Sequence, residues 1–144
     1  MHFRLLECGD YANYLKLIND FRKTYFTEQD FIERLAITKS HGIEIYVLEN
    51  DNELIATATL IVEPKFIFDL ATYAHIEDVC VLANRRREGL GLKIMKEIFA
   101  LCKQRKYHKV TLCCADHNIP FYEACGLEKR GNQMCQLGEF LNDN

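Results

Sequence analysis

Residues Gly89 to Gln104 constrain the fold more than any other stretch, because they form a strongly amphipathic helical pattern between two β-rich runs. Ile94, Met95, Ile98, Phe99 and Cys102 share one face at helical spacing, while Lys93, Lys96, Glu97 and Lys103 fall mostly elsewhere. Tyr73 to Leu82 precedes this helix as a strand-like run, and His108 to Cys114 follows it as another. A strand, a helix and a second strand in that order point to a parallel crossover, the one connection that returns the chain in its original direction.

The remaining chain supplies the partners of that unit. Phe3 to Glu7 reads as a first strand. Asp10 stands where a helix cap belongs, ahead of Tyr11, Tyr14, Leu15, Ile18 and Phe21 at helical spacing. Thr27-Glu28-Gln29-Asp30 resembles a capping box with Asp in place of Glu or Gln; Phe31, Ile32 and Leu35 give the second helix its apolar stripe, and Gly42 ends it. The period then switches to that of strands. Ile43 to Leu48 and Leu54 to Val62 read as a hairpin joined by residues 49–53, with Pro64 ending or bulging the second arm. Beyond the crossover, Asn118 is placed to cap a short helix carrying Pro120 in its first turn and Gly126 at its stop. Two short strands are expected near Leu127 to Lys129 and Met134 to Leu137. The predicted order is β-α-α-β-β-β-α-β-α-β-β, an α/β (α+β) chain on a largely antiparallel sheet. All 144 residues are expected to form a single domain.

Composition narrows the setting. A net charge of -3 and a pI near 5.9 give no global attraction to nucleic acid or anionic membrane. No stretch approaches the roughly 18 consecutive apolar residues of a membrane helix, and the N-terminus lacks the layout of a signal peptide, so a cytoplasmic protein is expected. Seven cysteines without a CxxC pair suggest neither a complete disulfide framework nor a zinc site. Most of them are expected as small buried hydrophobes, and Cys113 and Cys114 as strand neighbours facing opposite sides of a sheet.

The chemistry is concentrated where the strand at 73–82 runs into the long helix. Arg85-Arg86-Arg87-Glu88-Gly89-Leu90-Gly91 is a basic, glycine-containing turn at the positive end of a helix dipole. Its backbone N–H groups converge, and glycine lets a ligand approach the main chain closely, as a pyrophosphate site requires. The P-loop ending Gly-Lys-Ser/Thr is absent, and so is the dinucleotide pattern GxGxxG.

Arg86-x-x-Gly89-x-Gly91 resembles the (Gln/Arg)-x-x-Gly-x-(Gly/Ala) signature of GNAT acetyltransferases. Over nearly the whole chain a closer resemblance is to the glucosamine 6-phosphate N-acetyltransferases. It is carried by residues 56–67, by His75-Ile76-Glu77-Asp78-Val79, by Lys109-Val110-Thr111-Leu112 and by residues 118–126, where Asn118, Phe121, Tyr122 and Gly126 fall in the family's spacing.

The resemblance implies a GNAT fold, acetyl-CoA as cosubstrate, no metal, glucosamine 6-phosphate as acceptor and an intertwined homodimer. It implies that Glu77, Asp78, Val79, Cys80 and Val81 lie along the pantetheine arm, the first two also near the sugar amine. Arg86, Arg87, Glu88, Gly89, Leu90 and Gly91 would hold the pyrophosphate, and Asn118 would sit near the pantetheine. Tyr122 would reach the sulfur and protonate the departing thiolate. Lys65, Phe66, His108 and Lys109 would contact the sugar phosphate, Lys109 from the same subunit or from its partner. Glu77, Asp78 and Tyr122 are thus the expected catalytic residues, in a direct transfer without an acyl-cysteine.

Four positions depart from the family, all on the acceptor side. Cys113 replaces an acidic residue, Leu137 an arginine and Phe68 a histidine, and a Leu-Thr pair after the first helix is missing around Asp20-Phe21-Arg22-Lys23. Two other readings stay open: a GNAT enzyme for another amine or a protein N-terminus, and a module that binds acetyl-CoA without turning it over. His75 and His117 are catalytic by residue type, and their spacing assigns them no role.

Overall fold

The computed structural model of the protein describes residues 1–135 and 138. It divides into two compact units, residues 1–112 and 113–144. In the first unit, strand β1 (His2–Leu5) leads to helices α1 (Tyr11–Asn19) and α2 (Glu28–Ser40). The hairpin of β2 (Ile43–Asn50) and β3 (Glu53–Pro64) follows. After a one-turn segment α3 (Ile67–Leu70) come β4 (Thr72–Val81), the long helix α4 (Leu90–Gln104) and β5 (Lys109–Leu112). The sheet runs β1-β2-β3-β4-β5 in space. Every neighbouring pair is antiparallel except β4 and β5, which are parallel and joined through α4 as predicted.

Strand alternation sorts the core into two layers. Val47, Cys80 and Leu82 join Leu6, Tyr14, Leu17, Phe31 and Leu35 in one buried cluster under α1 and α2. The alternate positions Tyr46, Leu48, Ala58, Leu60, Ala74 and Ile76 are also buried, on the other face. Helix α4 covers that second face with Leu90, Ile94, Met95, Ile98 and Cys102, and Arg105 at its end binds Glu44 and the Tyr46 hydroxyl. Full burial of each large aliphatic side chain is worth about 1.5–3 kcal/mol.

Local signals behave largely as read. Thr27 and Asp30 form the reciprocal capping box, with Asp30 N–H donating to Thr27 Oγ1 at 3.1 Å and Thr27 N–H to the Asp30 carboxylate at 2.9 Å. The hairpin loop is tighter than the expected 49–53. Asp51 and Asn52, with φ of 50° and 63°, form a two-residue turn whose twist matches the flanking strands.

Four expectations fail for identifiable reasons, and a fifth falls partly outside the described residues. Asp10 does not cap α1, because its carboxylate is taken by the Arg4 guanidinium at 2.7 and 2.9 Å and by Glu7 N–H at 2.8 Å. Asn118 sits at the cap position of α5 (Ile119–Ala124), in the second unit, yet its side chain makes no capping bond. Residues 127–129 form no strand: Leu127 N–H is bound to Tyr122 C=O, and the segment lies between Gly126 and Gly131, both at positive φ. Of the strand expected at 134–137, residues 134 and 135 are irregular, and 136 and 137 lie outside the described residues. The cysteines are mostly not core. Only Cys80 and Cys102 are buried, and because β5 stops at Leu112, Cys113 and Cys114 lie beyond it, both exposed.

Candidate active site

The site is organised by an irregularity in β4. Thr59 pairs with Glu77 and Thr57 with Cys80, so Ala58 alone faces both Asp78 and Val79. This is a β-bulge, with Asp78 in the left-handed region at φ 52°, a conformation that Asp tolerates better than most residues. The extra residue changes the parity of the strand. Glu77 and Cys80 would otherwise point to opposite faces, and the bulge puts both on the α1/α2 side. The β4–β5 pairing ends at Ile76 and Leu112, so residues 77–81 continue past the last residue of β5.

Burial raises the Asp78 carboxyl above the usual carboxylate range, and the neighbouring Glu77 charge adds to it. Burial likewise pushes the Cys80 thiol up to about 11, so it stays protonated at neutral pH and is a poor nucleophile. Tyr14, buried beneath the bulge, is pushed up to about 12 by burial and then by the charges of Asp78 and Cys80.

Past Leu82 the chain makes the basic turn. Arg87 at φ 67° and Gly89 at φ 76° are both left-handed, and the first bond of α4 runs from Lys93 N–H to Gly89 C=O at 3.0 Å. The N–H groups of Leu90, Gly91 and Leu92 therefore precede the helical ladder, at the positive end of the dipole. The three arginines divide in use. Arg85 pairs with Glu88 at 2.9 Å. Arg86 donates to the carbonyls of Asp20 at 3.0 Å and Val81 at 3.3 Å, bracing the turn against the end of α1. Arg87 is exposed and makes no ion pair among the described residues. Asp20 completes the brace by accepting Ala83 N–H at 2.6 Å. No sequence signal singled out Asp20, because the contact spans 63 residues.

A polar row stands on the α1/α2 side of β4 and β5. Tyr73, His75 and Glu77 alternate along β4, with Lys109 and Thr111 opposite Tyr73 and His75. His75 bridges Glu77 at 2.8 Å and Thr111 Oγ1 at 2.9 Å. The ammonium groups of Lys109 and Lys65 lie 4.4 and 5.4 Å from the Tyr73 ring centre, and Lys65 also pairs with Glu63 at 2.7 Å. His108 stacks on Tyr73 and on Phe68. The structure thus brings Lys65, His108 and Lys109 together around one ring, while Phe66 is 92% exposed. In the second unit, Asn118 opens α5, and Tyr122 meets Phe121 edge-on at 4.9 Å. Thr111 and the bridging role of His75 were missed. Period-2 spacing pairs His75 with Glu77, but the register that adds Thr111 is not written in either strand alone.

A sheet with one parallel crossover, a bulged strand and a basic, glycine-containing turn opening the crossover helix defines an acyl-CoA-type transferase fold. Residues 12–127 match the model of the Acetyltransferase (GNAT) family, and the chain belongs to that family. It is 34% identical to glucosamine 6-phosphate N-acetyltransferase 1 of Dictyostelium discoideum over 137 residues, 92% of this chain and 87% of that protein. It is 31% identical to glucosamine 6-phosphate N-acetyltransferase of Arabidopsis thaliana, over 91% of this chain and 92% of that protein. The crystal structure of glucosamine-6-phosphate N-acetyltransferase from Arabidopsis thaliana superposes with a TM-score of 0.87 at 30% identity, covering 94% of this chain and 97% of that one.

Proposed function

We propose that the whole chain acts as one domain that transfers the acetyl group of acetyl-CoA to the amine of glucosamine 6-phosphate. The products are N-acetylglucosamine 6-phosphate and CoA. The observation that carries this reading is the pairing of the bulged β4 and the turn at 86–91 with a cationic cluster around Tyr73, on the same face of β4 as Glu77. One end suits a CoA pyrophosphate and the other a phosphorylated amine. The similarity to the Dictyostelium and Arabidopsis enzymes over most of both chains supports the same acceptor.

In this reading the N–H groups at the start of α4, with Arg87, receive the pyrophosphate. The pantetheine runs along residues 77–81, where β4 continues beyond β5. A main-chain N–H at Val79 or Cys80 faces the thioester oxygen and stabilises the oxyanion of the tetrahedral intermediate. Glu77 accepts a proton from the acceptor ammonium, directly or through water, and the free amine attacks the thioester carbon. Tyr122 gives its phenolic proton to the departing thiolate, with Asn118 beside the arm. Lys65 and Lys109 hold the sugar phosphate through charge, with His108 as a hydrogen-bond partner beside them.

A homodimer belongs to the same reading. Phe66, Ile67, Phe68 and Leu70 are 92, 59, 63 and 71% exposed, an apolar turn beside Lys65 that a second copy would cover. A cytoplasmic setting, in the supply of UDP-N-acetylglucosamine, fits seven free cysteines. No helix among the described residues is long and apolar enough to cross a membrane.

Acceptance of another amine is favoured by two departures from the pattern the resemblance implies: Phe68 stands where a histidine is expected, and Cys113 where an acidic residue is expected. Incubation with acetyl-CoA and separate amines (glucosamine 6-phosphate, glucosamine, spermidine, a short peptide), read by mass spectrometry, decides between them. The phosphosugar alone should gain an acetyl group rapidly. Acetylation of a different amine would replace the acceptor, and acetyl-CoA binding without any product would favour a binding module.

A further inference from the structure

Among the groups the assigned chemistry leaves unused, one connected set reaches the acceptor side. His75 Nε2 lies 2.8 Å from Glu77 Oε1, and its Nδ1 lies 2.9 Å from Thr111 Oγ1. Strand geometry makes the set rigid. His75 and Glu77 are two residues apart on one face of β4, and Thr111 is the direct parallel partner of His75 on β5.

We propose that His75 is a positioning residue for acetyl transfer: it clamps Oε1 of Glu77, is itself fixed by Thr111, and so leaves Oε2 as the oxygen that takes the acceptor's proton. This rests on the reading of Glu77 as the group beside the acceptor amine.

The hydrogen-bond inventory sets the tautomer. An ionised carboxylate only accepts, so Nε2 carries the hydrogen and Nδ1 is left as an acceptor. The Thr111 hydroxyl supplies the donor that Nδ1 needs, which disfavours the opposite tautomer. The His75 side chain is 20% exposed and that of Glu77 46%, so the clamp is partly sheltered while the working carboxylate reaches solvent. Other charges facing the pair are Glu63 on β3 and Lys109 on β5, with Lys65 held by Glu63 and Asp78 next along β4.

The proton balance closes. The acceptor ammonium gives one proton to Glu77 Oε2, and the amine forms the new C–N bond as the thioester carbonyl becomes an oxyanion. The C–S bond then breaks, the thiolate takes the phenolic proton of Tyr122, and the second nitrogen proton leaves to solvent, from which Tyr122 regains its own. Glu77 releases its own proton to solvent.

The test uses the full chain and three variants. His75→Ala should lower kcat for glucosamine 6-phosphate on the order of 10²-fold, since positioned acid–base groups contribute about that much. Acetyl-CoA affinity should stay within about two-fold, because residues 77–81 are held to meet the pantetheine through their main chain, and His75 binds only the Glu77 carboxylate. Loss of the Nε2–H donor should move the acidic limb of the kcat/KM profile to higher pH, because the carboxylate loses a bond to its charged form. Thr111→Val should shift profile and rate the same way by a smaller amount, and Thr111→Ser should restore both. Nitrogen NMR of His75, which needs no activity, should show the Nε2–H tautomer in the wild type and a mixture in Thr111→Val. Wild-type transfer with an unchanged His75→Ala rate and profile, or an Nδ1–H tautomer, would overturn the role of His75 alone. A wild type that acetylates no amine would overturn the acetyltransferase reading and the proton role with it.

Discussion

Replacing Gly89 by alanine separates what the turn costs in folding from what it does for ligand. Gly89 sits at φ 76°, a region where an L-residue loses roughly 1–2 kcal/mol to contact between Cβ and the backbone. Space is not the difficulty, since a methyl group at Gly89 would meet no atom beyond its chain neighbours within 4 Å. Stability should therefore fall by about 1–2 kcal/mol and no further. For a domain of this size that lowers Tm by about 3–7 °C. Acetyl-CoA affinity should fall more steeply, by about ten-fold or more, because in the proposed reading the methyl would stand where the pyrophosphate approaches the N–H groups at the start of α4. Thermal denaturation and calorimetric titration of the same variant give both numbers. A Tm loss well above 10 °C would refute the account of the backbone, and an unchanged acetyl-CoA Kd would refute the assignment of the turn.

Other expectations bear on separate parts of the molecule. Tyr122→Phe should lower kcat on the order of 10²-fold with little change in acetyl-CoA affinity, as steady-state kinetics and titration would show, if the phenol is the thiolate's acid. Asp78 is raised above the usual carboxylate range when folded, so its contribution is fully present below the unfolded pKa and lost as pH rises through the folded one. Asp78→Asn, which keeps the left-handed tolerance, should thus gain Tm over the wild type at neutral pH, with the gain disappearing in acid. Thr27→Ala removes the hydroxyl that accepts Asp30 N–H and should cost about 1 kcal/mol in chemical denaturation. Ile98→Ala, at a fully buried position under the sheet, should cost about 2–5 kcal/mol in the same measurement.

How much of this was legible in the sequence depends on the reach of each interaction. The crossover helix, the capping box at Thr27 and the strand–turn–helix at 76–91 are local patterns, and local patterns survive in one dimension. The fate of Asp10 was not legible. Its capping role is lost to Arg4, six residues away, whose side chain also holds Glu49 on another strand. The bulge at Asp78 was hidden too, because an extra residue shows only against its partner strand. It decides which face Glu77 and Cys80 share. Likewise, three consecutive arginines read as one anion site, whereas two of them are committed to Glu88, Asp20 and Val81. The short strand expected at 127–129 failed where propensity is weakest and a glycine flanks the segment on each side.

The most direct measurement of the central claim is the ratio of kcat/KM for glucosamine 6-phosphate to that for glucosamine, followed by mass spectrometry of the acetylated sugar. The account predicts a ratio of about 10² or more, collapsing toward one when Lys65 and Lys109 are both replaced by methionine, because the ammonium groups are held to grip the phosphate. A ratio near one in the wild type, or faster transfer to an unphosphorylated amine, would contradict it.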